Sequence, residues 1–390
     1  MAIEGRSDAK AGGRIRLGMV GGGEGAFIGA VHRIASRIDD QYELVAGALS
    51  STPEKARRSG AALALASDRV YDDYEAMAKA EAKRSDGIEA VAIVTPNDAH
   101  AGPTYAFLKA GIHVICDKPL TVSLAEAKKM RAAVEKSGLV FALTHNYTGY
   151  PLVRRMREMV RAGELGEIRL VQAEYPQDWL TGATEATGNK QAEWRVNPKR
   201  SGAGGSLGDI GTHAYNLADY VTGLDVAELS ADLTSFGAGR KLDDNAQIML
   251  RYANGARGAI WASQVAPGNE NGLMLRVYGT KGGFQWRQDN PNYLFWSPYE
   301  KSTRIIGRGG PESGEAAARV TRIPPGHPEG YLEGFATIYN EVALAIRAAR
   351  IGKKPAKPVH FPTIDDGVKG LAFIEAAVKS SKANGKWVKP

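Results

Sequence analysis

The sequence predicts an α/β protein. Its first part reads as a doubly wound parallel sheet, and its second as an α+β domain with a mainly antiparallel sheet. Three observations carry this: a glycine-rich turn closing the first apolar run, regular strand–helix alternation up to about residue 148, and a change after residue 150 to short strands joined by turns. At 390 residues the chain is too long for one ordinary core. The boundary falls between 148 and 149, giving domains over 14–148 and 149–390.

Residues 15–20 form a β-rich run ending in Gly21-Gly22-Gly23-Glu24-Gly25-Ala26. Gly21, Gly23 and Ala26 fit the G-x-G-x-x-G/A spacing of a dinucleotide-binding turn. The first glycine permits the turn, the second lets backbone approach a pyrophosphate, and the small third residue lets helix pack on strand. Residues 27–38 then read as a helix whose amino end, Phe27 and Ile28, faces the phosphates.

A second strand, 44–49, runs into Ser50-Ser51-Thr52 with no carboxylate for a ribose 2′-hydroxyl. Lys55, Arg57 and Arg58 follow. Serine hydroxyls and a nearby cation suit a 2′-phosphate, so the cofactor reads as NAD or NADP with a lean to NADP. The same cations also read as a solvated helix face.

The alternation continues with strand 90–94, ending in Thr95-Pro96-Asn97-Asp98, and helix 103–110, with Asn97 or Asp98 near its cap and Gly111 past its end. Thr95, Asn97 and His100 are expected at the cofactor. Strand 113–116 then ends at Asp117-Lys118-Pro119. Pro119 biases Lys118 away from helix, so a lysine is held at the carboxyl end of a buried strand, where open α/β sheets bind ligands. Ser123 and Glu126 form a capping box, Leu124, Ala127, Met130 and Val134 line one helical face, and Gly138 ends that helix. Strand 140–143 follows, and His145, Asn146 and Tyr147 after it face substrate. Right-handed crossovers place Gly21, Ser50, Thr95, Asn97, Lys118 and Asn146 along one crevice.

In the second part, residues 150–162 read as a helix closed by Gly163. Strands are read at 168–174, 247–252, 256–263, 274–278 and 283–287, with turns at Asn254-Gly255 and Lys281-Gly282. No strand pattern is read past Trp296; 307–315 reads as a loop, and 333–350 and 367–382 as helices. Between the first two strands lie Trp194-Arg195, Pro198, a glycine-rich stretch at 201–205 and Leu207-Gly208-Asp209-Ile210-Gly211-Thr212-His213. If Asp209 opens a helix running to Val221, Asp209 and His213 are i and i+4 on one face, and the carboxylate orients a histidine able to exchange protons. The pair also reads as a helix cap and a core histidine. No third ligand has the spacing of a metal site. Tyr150, Trp179 and Trp194 are candidates for a sugar-stacking surface or for core; His327 and His360 carry no assignment.

Composition sets the outer bounds. Hydrophobic residues make up 43% and charged residues 24%, ordinary globular usage. No apolar run approaches the roughly 18 residues of a membrane helix, and the polar first ten residues lack the apolar region of a secretory signal. Ile3-Glu4-Gly5-Arg6 reads as a protease-recognition remnant. The single cysteine, Cys116, excludes an intramolecular disulfide, fits a reducing cytoplasmic setting, and sits inside a strand as an inert thiol. The formal charge of +7 suits an anionic cofactor. The basic residues are scattered, without an aromatic-interleaved patch, so neither nucleic acid nor membrane is expected as a partner.

Taken in order, these segments resemble the Gfo/Idh/MocA family of glucose-fructose oxidoreductase, inositol dehydrogenase and rhizopine-catabolism proteins. The family's Glu-Lys-Pro motif appears as Asp117-Lys118-Pro119, its Asp-x-Gly-x-His motif as Asp209 to His213, and Trp194-Arg195 precedes the glycine-rich stretch. The resemblance implies a Rossmann domain plus an open antiparallel α/β domain whose sheet often makes subunit contacts. A dimer or tetramer is therefore expected, with Trp261 and Trp286 on the pairing face. It also implies that Lys118 and His213 act on a hydroxyl of a sugar, polyol or sugar derivative with Asp209 nearby, and that Trp194, Arg195 and Asp117 serve the cofactor. Asp117 in place of glutamate shortens that residue's reach. The expected activity is an NAD(P)-dependent dehydrogenase: hydride leaves a secondary alcohol carbon, the hydroxyl proton passes to His213 or Lys118, and a protonated Lys118 stabilises charge on oxygen. Two rival readings are a redox-assisted glycosidase that retains its dinucleotide and a non-catalytic cofactor-binding sensor.

Overall fold

Five parallel strands open the chain in the computed structural model, which describes residues 13–390. The Ile3–Arg6 segment lies outside the described residues. The strands are β1 (Ile15–Gly21), β2 (Tyr42–Ala48), β3 (Ala90–Val94), β4 (His113–Cys116) and β5 (Phe141–Leu143), in the order β2-β1-β3-β4-β5. Continuous apolar runs such as Ala90–Val94, buried at every position, suit a sheet covered on both faces. Helices α1 (Phe27–Ile38), α2 (Pro53–Ala62), α3 (Tyr74–Glu81), α4 (Ala101–Lys109) and α5 (Leu124–Ser137) make the crossovers. All five carboxyl ends therefore face one edge.

Helix termini differ in detail from expectation. Asp73 caps α3, which the sequence reading passed over, by accepting the Ala76 N–H. Asn97 lies in a short 3₁₀ turn, and α4 starts only after His100, so neither Asn97 nor Asp98 caps it. Ser123 caps α5 by accepting the Glu126 N–H, but the Glu126 carboxylate accepts the Tyr105 hydroxyl, so only half of the expected box forms.

The second part holds an eight-stranded sheet. Helix α6 (Pro151–Arg161) leads into β6 (Ile168–Pro176). The short helices α7 (Lys190–Arg195) and α8 (Pro198–Ser201) and a π-helical turn (Leu207–Gly211) precede α9 (Thr212–Thr222). Then come β7 (Val226–Thr234), β8 (Asn245–Tyr252), β9 (Arg257–Ser263), β10 (Met274–Gly279), β11 (Gly282–Arg287), β12 (Tyr293–Pro298) and β13 (Arg304–Gly307). The order is β13-β12-β11-β10-β6-β9-β8-β7, with β6–β9 parallel and the other neighbours antiparallel. The three strands the sequence reading missed, β7, β12 and β13, occupy the two margins of this sheet. One face is covered by α9 and α12 (Ile364–Lys382), where Tyr215 stacks on Phe373 at 4.2 Å. On the other, Leu170, Met249, Tyr278 and Phe295 are exposed. Trp286 does not join them: it is fully buried, and its Nε1 donates to the Pro291 carbonyl, because alternation along β11 turns it to the covered side.

Two helices remain, α10 (Gly314–Ala318) and α11 (Tyr331–Arg350). Phe335, Ile338, Tyr339 and Val342 of α11 share a core with Ile15, Leu17 and Val31 of the first sheet and its helix. The Tyr42 hydroxyl donates to the Tyr339 carbonyl at 2.9 Å, and a buried Arg322–Asp39 ion pair at 2.5 Å adds a second tie. Among the described residues, no helix is long and apolar enough to cross a membrane.

Candidate active site

Lys118 emerges from β4 into a cluster built by both sheets. The Asp117 carboxylate accepts the Lys118 N–H at 2.9 Å and the Thr144 hydroxyl at 2.8 Å, so the shorter acid is engaged by the loops after β4 and β5. The Lys118–Pro119 peptide is cis. His100 is fully buried; its Nδ1 faces the Pro119 carbonyl at 2.9 Å and its Nε2 the Thr95 carbonyl at 2.9 Å. It thus braces the loops after β3 and β4.

The ammonium of Lys118 donates to the Asp209 backbone carbonyl at 2.7 Å and approaches the Asp209 carboxylate at 3.3 Å. That carboxylate also accepts from Arg195 Nε at 3.1 Å and Gln264 Nε2 at 2.9 Å. Burial alone would raise the Asp209 carboxyl, but the Arg195 and Lys118 cations outweigh it and hold the carboxyl below its usual range. Here the structure corrects the sequence. Asp209 lies in the π-helical turn, whose wider winding breaks the one-turn register to His213. Among the described residues, His213 is not a hydrogen-bond partner of Asp209. The preceding loop is anchored by Asp243, which no sequence signal identified: its buried carboxylate accepts the N–H groups of Gly205 and Leu207 and the Ser206 hydroxyl at 2.7–2.8 Å.

His213, in the first turn of α9, stands edge-on to Tyr147 at 4.8 Å and to His145 at 5.5 Å. Burial, then the Lys118 charge, holds its imidazole well below the ordinary value, so the ring is neutral. The ammonium of the first domain and the imidazole of the second therefore sit within electrostatic reach of each other. His145 is pushed down to about 3 by the same two causes. Around them, among the described residues, lie buried polar atoms without a hydrogen-bond partner: Nδ1 of His145, Nδ1 of His213 and Nδ2 of Asn146.

A neutral hydrogen-bonded chain backs this group. The Tyr147 and Tyr175 hydroxyls are 2.5 Å apart, Tyr175 donates to Asn271 Oδ1 at 2.7 Å, and Gln177 Nε2 donates to the same oxygen at 2.8 Å. Trp179 Nε1 donates to Gln177 Oε1 at 3.2 Å. Tyr175, Gln177, Gln264 and Asn271 were missed because nothing in their local sequence marks them; they meet only through the pairing of β6 with β9 and β10. Tyr150 is buried against Trp286 at 5.4 Å, so it belongs to the core.

The glycine-rich turn opens the other end of the crevice. Gly21 and Gly22 have φ of +78° and +71°, and a Cβ on Gly22 would lie 2.7 Å from Val94 Cγ2. The cradle is therefore bare backbone ahead of α1, which fits a dinucleotide pyrophosphate. The close helix approach falls on Gly29, whose Cβ would lie 2.4 Å from Gly22 Cα; Ala26 is instead the extended residue just before α1. Phe27 is 68% exposed beside the cradle, while Ile28 packs on the core. Gly23 N–H is committed to the Leu49 carbonyl, and Thr95 Oγ1 to the Ala99 carbonyl. Asn97 is buried and donates to the Ser201 carbonyl, which links the two domains. Past β2, Ser50 Oγ accepts the Thr52 N–H and Ser51 is exposed. Arg58 is paired with Glu54 at 2.8 Å and Glu24 at 3.4 Å, and Arg57 faces Asp72 at 3.8 Å, leaving Lys55 without an ion pair among the described residues. The Arg195 guanidinium lies 4.3 Å from the centre of the Trp194 ring.

Residues 15–145 match the oxidoreductase family with an NAD-binding Rossmann fold, and residues 153–285 match the GFO/IDH/MocA C-terminal domain. An oxidoreductase from Sinorhizobium meliloti is 58% identical, with a TM-score of 0.88 over 96% of this chain and 99% of that one. An inositol dehydrogenase homolog from Azotobacter vinelandii, solved with NADH and myo-inositol, is 34% identical, with a TM-score of 0.90 over 97% and 98%. Levoglucosan dehydrogenase of Pseudarthrobacter phenanthrenivorans is 28% identical over 96% of this chain and 97% of its own length.

Proposed function

The chain belongs to the GFO/IDH/MocA family of NAD-binding oxidoreductases, and within it we propose a dehydrogenase that oxidises a secondary hydroxyl of an uncharged, unphosphorylated sugar or polyol. One observation carries the reading: the Lys118 ammonium is fixed on Asp209 across the two domains, beside a neutral His213. An ammonium has three N–H donors. Asp209 takes two of them, and the third is left for a substrate oxygen. His213 Nδ1 is buried without a partner among the described residues, so proton uptake is assigned to Nε2. The bound nicotinamide supplies the hydride acceptor.

Support for an uncharged substrate comes from the walls. Tyr147, Tyr175, His145, Asn146 and His213 are neutral groups that donate to or accept from hydroxyls. The Lys118 ammonium and the Arg195 guanidinium both pair with the Asp209 carboxylate. Among the described residues, each of these cations already has a carboxylate partner. A myo-inositol complex in a relative of the same architecture agrees with this class.

For the cofactor we assign NAD ahead of NADP, because Arg57 and Arg58 already face carboxylates, which among the described residues leaves Lys55 as the unpaired cation of this helix for a 2′-phosphate. The exposed apolar face of the eight-stranded sheet is assigned to self-association, checked by light scattering. The function is tested with a panel of sugars and polyols read by nicotinamide absorbance with both cofactors. Steady NADH formation on a neutral polyol is expected; release of an aglycone without net cofactor turnover, or no turnover on any member, would overturn it.

A further inference from the structure

Away from the catalytic cluster, α6 and α9 end side by side at a cavity of about 230 Å³. Arg157, Arg161, Tyr220 and His360 line it, together with Asp219, Asp366 and Lys369. Arg157 Nη1 lies 2.8 Å from His360 Nε2, and its guanidinium rests 4.2 Å from the centre of the Tyr220 ring. A guanidinium only donates, so Nε2 accepts and the neutral ring carries its proton on Nδ1. That Nδ1 is buried and has no partner among the described residues. The ring is held neutral first by burial and then by the charges of Arg157, Arg154, Arg161 and Arg319, which push it down to about 3.

The carboxylates nearby are already engaged. Asp219 pairs with Lys369 at 3.3 Å, Asp366 accepts the Thr363 N–H and hydroxyl at the start of α12, and Glu341 is shared by Arg154 and Arg319. Among the described residues, neither Arg157 nor Arg161 has a carboxylate partner. Cations at helix carboxyl ends gain a few tenths of a kcal/mol to about 1 kcal/mol from the helix dipole. That does not satisfy the buried Nδ1–H of His360. Arg157, Arg161 and the His360 Nδ1–H therefore bring to the cavity donors that no carboxylate takes up among the described residues.

We propose that this cavity is a second ligand site, taking a phosphate-type oxyanion, free or as a small phosphomonoester, between Arg157, Arg161 and His360. Its position gives it a consequence. Each helix has 11 residues, about 16 Å, and each begins at the catalytic cluster: α6 directly after Asn146, Tyr147 and Tyr150, and α9 at His213. An anion joining their far ends stiffens the pair that carries those residues.

The test is thermal unfolding and calorimetric titration with inorganic phosphate and with glycerol 2-phosphate, at fixed ionic strength and with saturating NAD to fill the cofactor's phosphate cradle. A saturable rise in Tm is expected, with affinity weakened about tenfold or more in Arg161→Ala and in Arg157→Gln. Arg161 is exposed, so its removal leaves the fold intact. Tighter binding of the glycerol ester supports the phosphomonoester form and equal binding the free anion. An equal effect of chloride, no saturable effect, or unchanged affinity in Arg161→Ala would overturn the site.

Discussion

The Lys118 ammonium lies 2.7 Å from the backbone carbonyl oxygen of Asp209 and 3.3 Å from its carboxylate. One residue thus holds the lysine twice, once through a peptide group whose position is set by the π-helical turn and once through a charge shared with Arg195. The lysine is placed by the second domain as much as by the strand it leaves.

Replacing Lys118 with methionine keeps the stem and removes the donor. Steady-state kinetics should show kcat lowered about 10²- to 10⁴-fold, with the KM for cofactor little changed. An unchanged kcat would remove Lys118 from the chemistry.

Asp209→Asn leaves Lys118 and Arg195 facing each other without their shared counter-charge. A misplaced ammonium should lower kcat by about 10²-fold. Because the Asp209 carboxyl is held below its usual range, its stabilising contribution is present above the unfolded carboxyl pKa of about 3.9 and fades as pH falls through the folded value. Chemical denaturation should therefore separate wild type from Asp209→Asn at pH 7, with the gap closing in acid.

His213 is neutral far below the ordinary imidazole range, so it stays competent to accept a proton as pH falls. The kcat/KM profile should show no loss near pH 6.5 that His213→Gln abolishes, and His213→Gln should lower kcat about 10²-fold or more.

His32, held down to about 4, and His145 and His360, at about 3, are all kept neutral chiefly by burial. The unfolded chain takes up protons at these sites near pH 6.5 while the folded chain does not until lower pH, so unfolding is favoured as pH drops. Urea midpoints should fall steadily between about pH 6.5 and pH 4.

Gly29→Ala would place a methyl 2.4–2.8 Å from the backbone of Gly22. Neither partner is a flexible side-chain end, so α1 must move off the turn. A loss of about 1–3 kcal/mol in stability is expected, together with weaker NAD binding by fluorescence titration.

Much of the first sheet was legible because buried parallel strands are written as uninterrupted apolar runs: Ala90–Val94 and His113–Cys116 appear with the bounds read from sequence. Lys118 was legible because a proline follows it at a strand end. The π-helical turn was not. An aspartate, a glycine and a histidine spaced for one α-turn give no sign that the backbone winds wider there, and Asp243, which anchors the approach to it, lies 34 residues beyond Asp209. Strand β12 was hidden by its Asn-Pro-Asn lead, although Leu294 and Trp296 alternate inward once the partner strand is in place. Tyr175 and Asn271 acquire meaning only from strand pairing, which no local window contains.

The helix that closes the first sheet comes from near the end of the chain. A ribosome releases the nucleotide-binding strands long before Phe335, Ile338 and Tyr339 exist to cover them. Those strands must wait with one oily side wet. Anyone exchanging substrate-binding halves between relatives has to carry this late helix along with the strands it shelters, or the graft will precipitate.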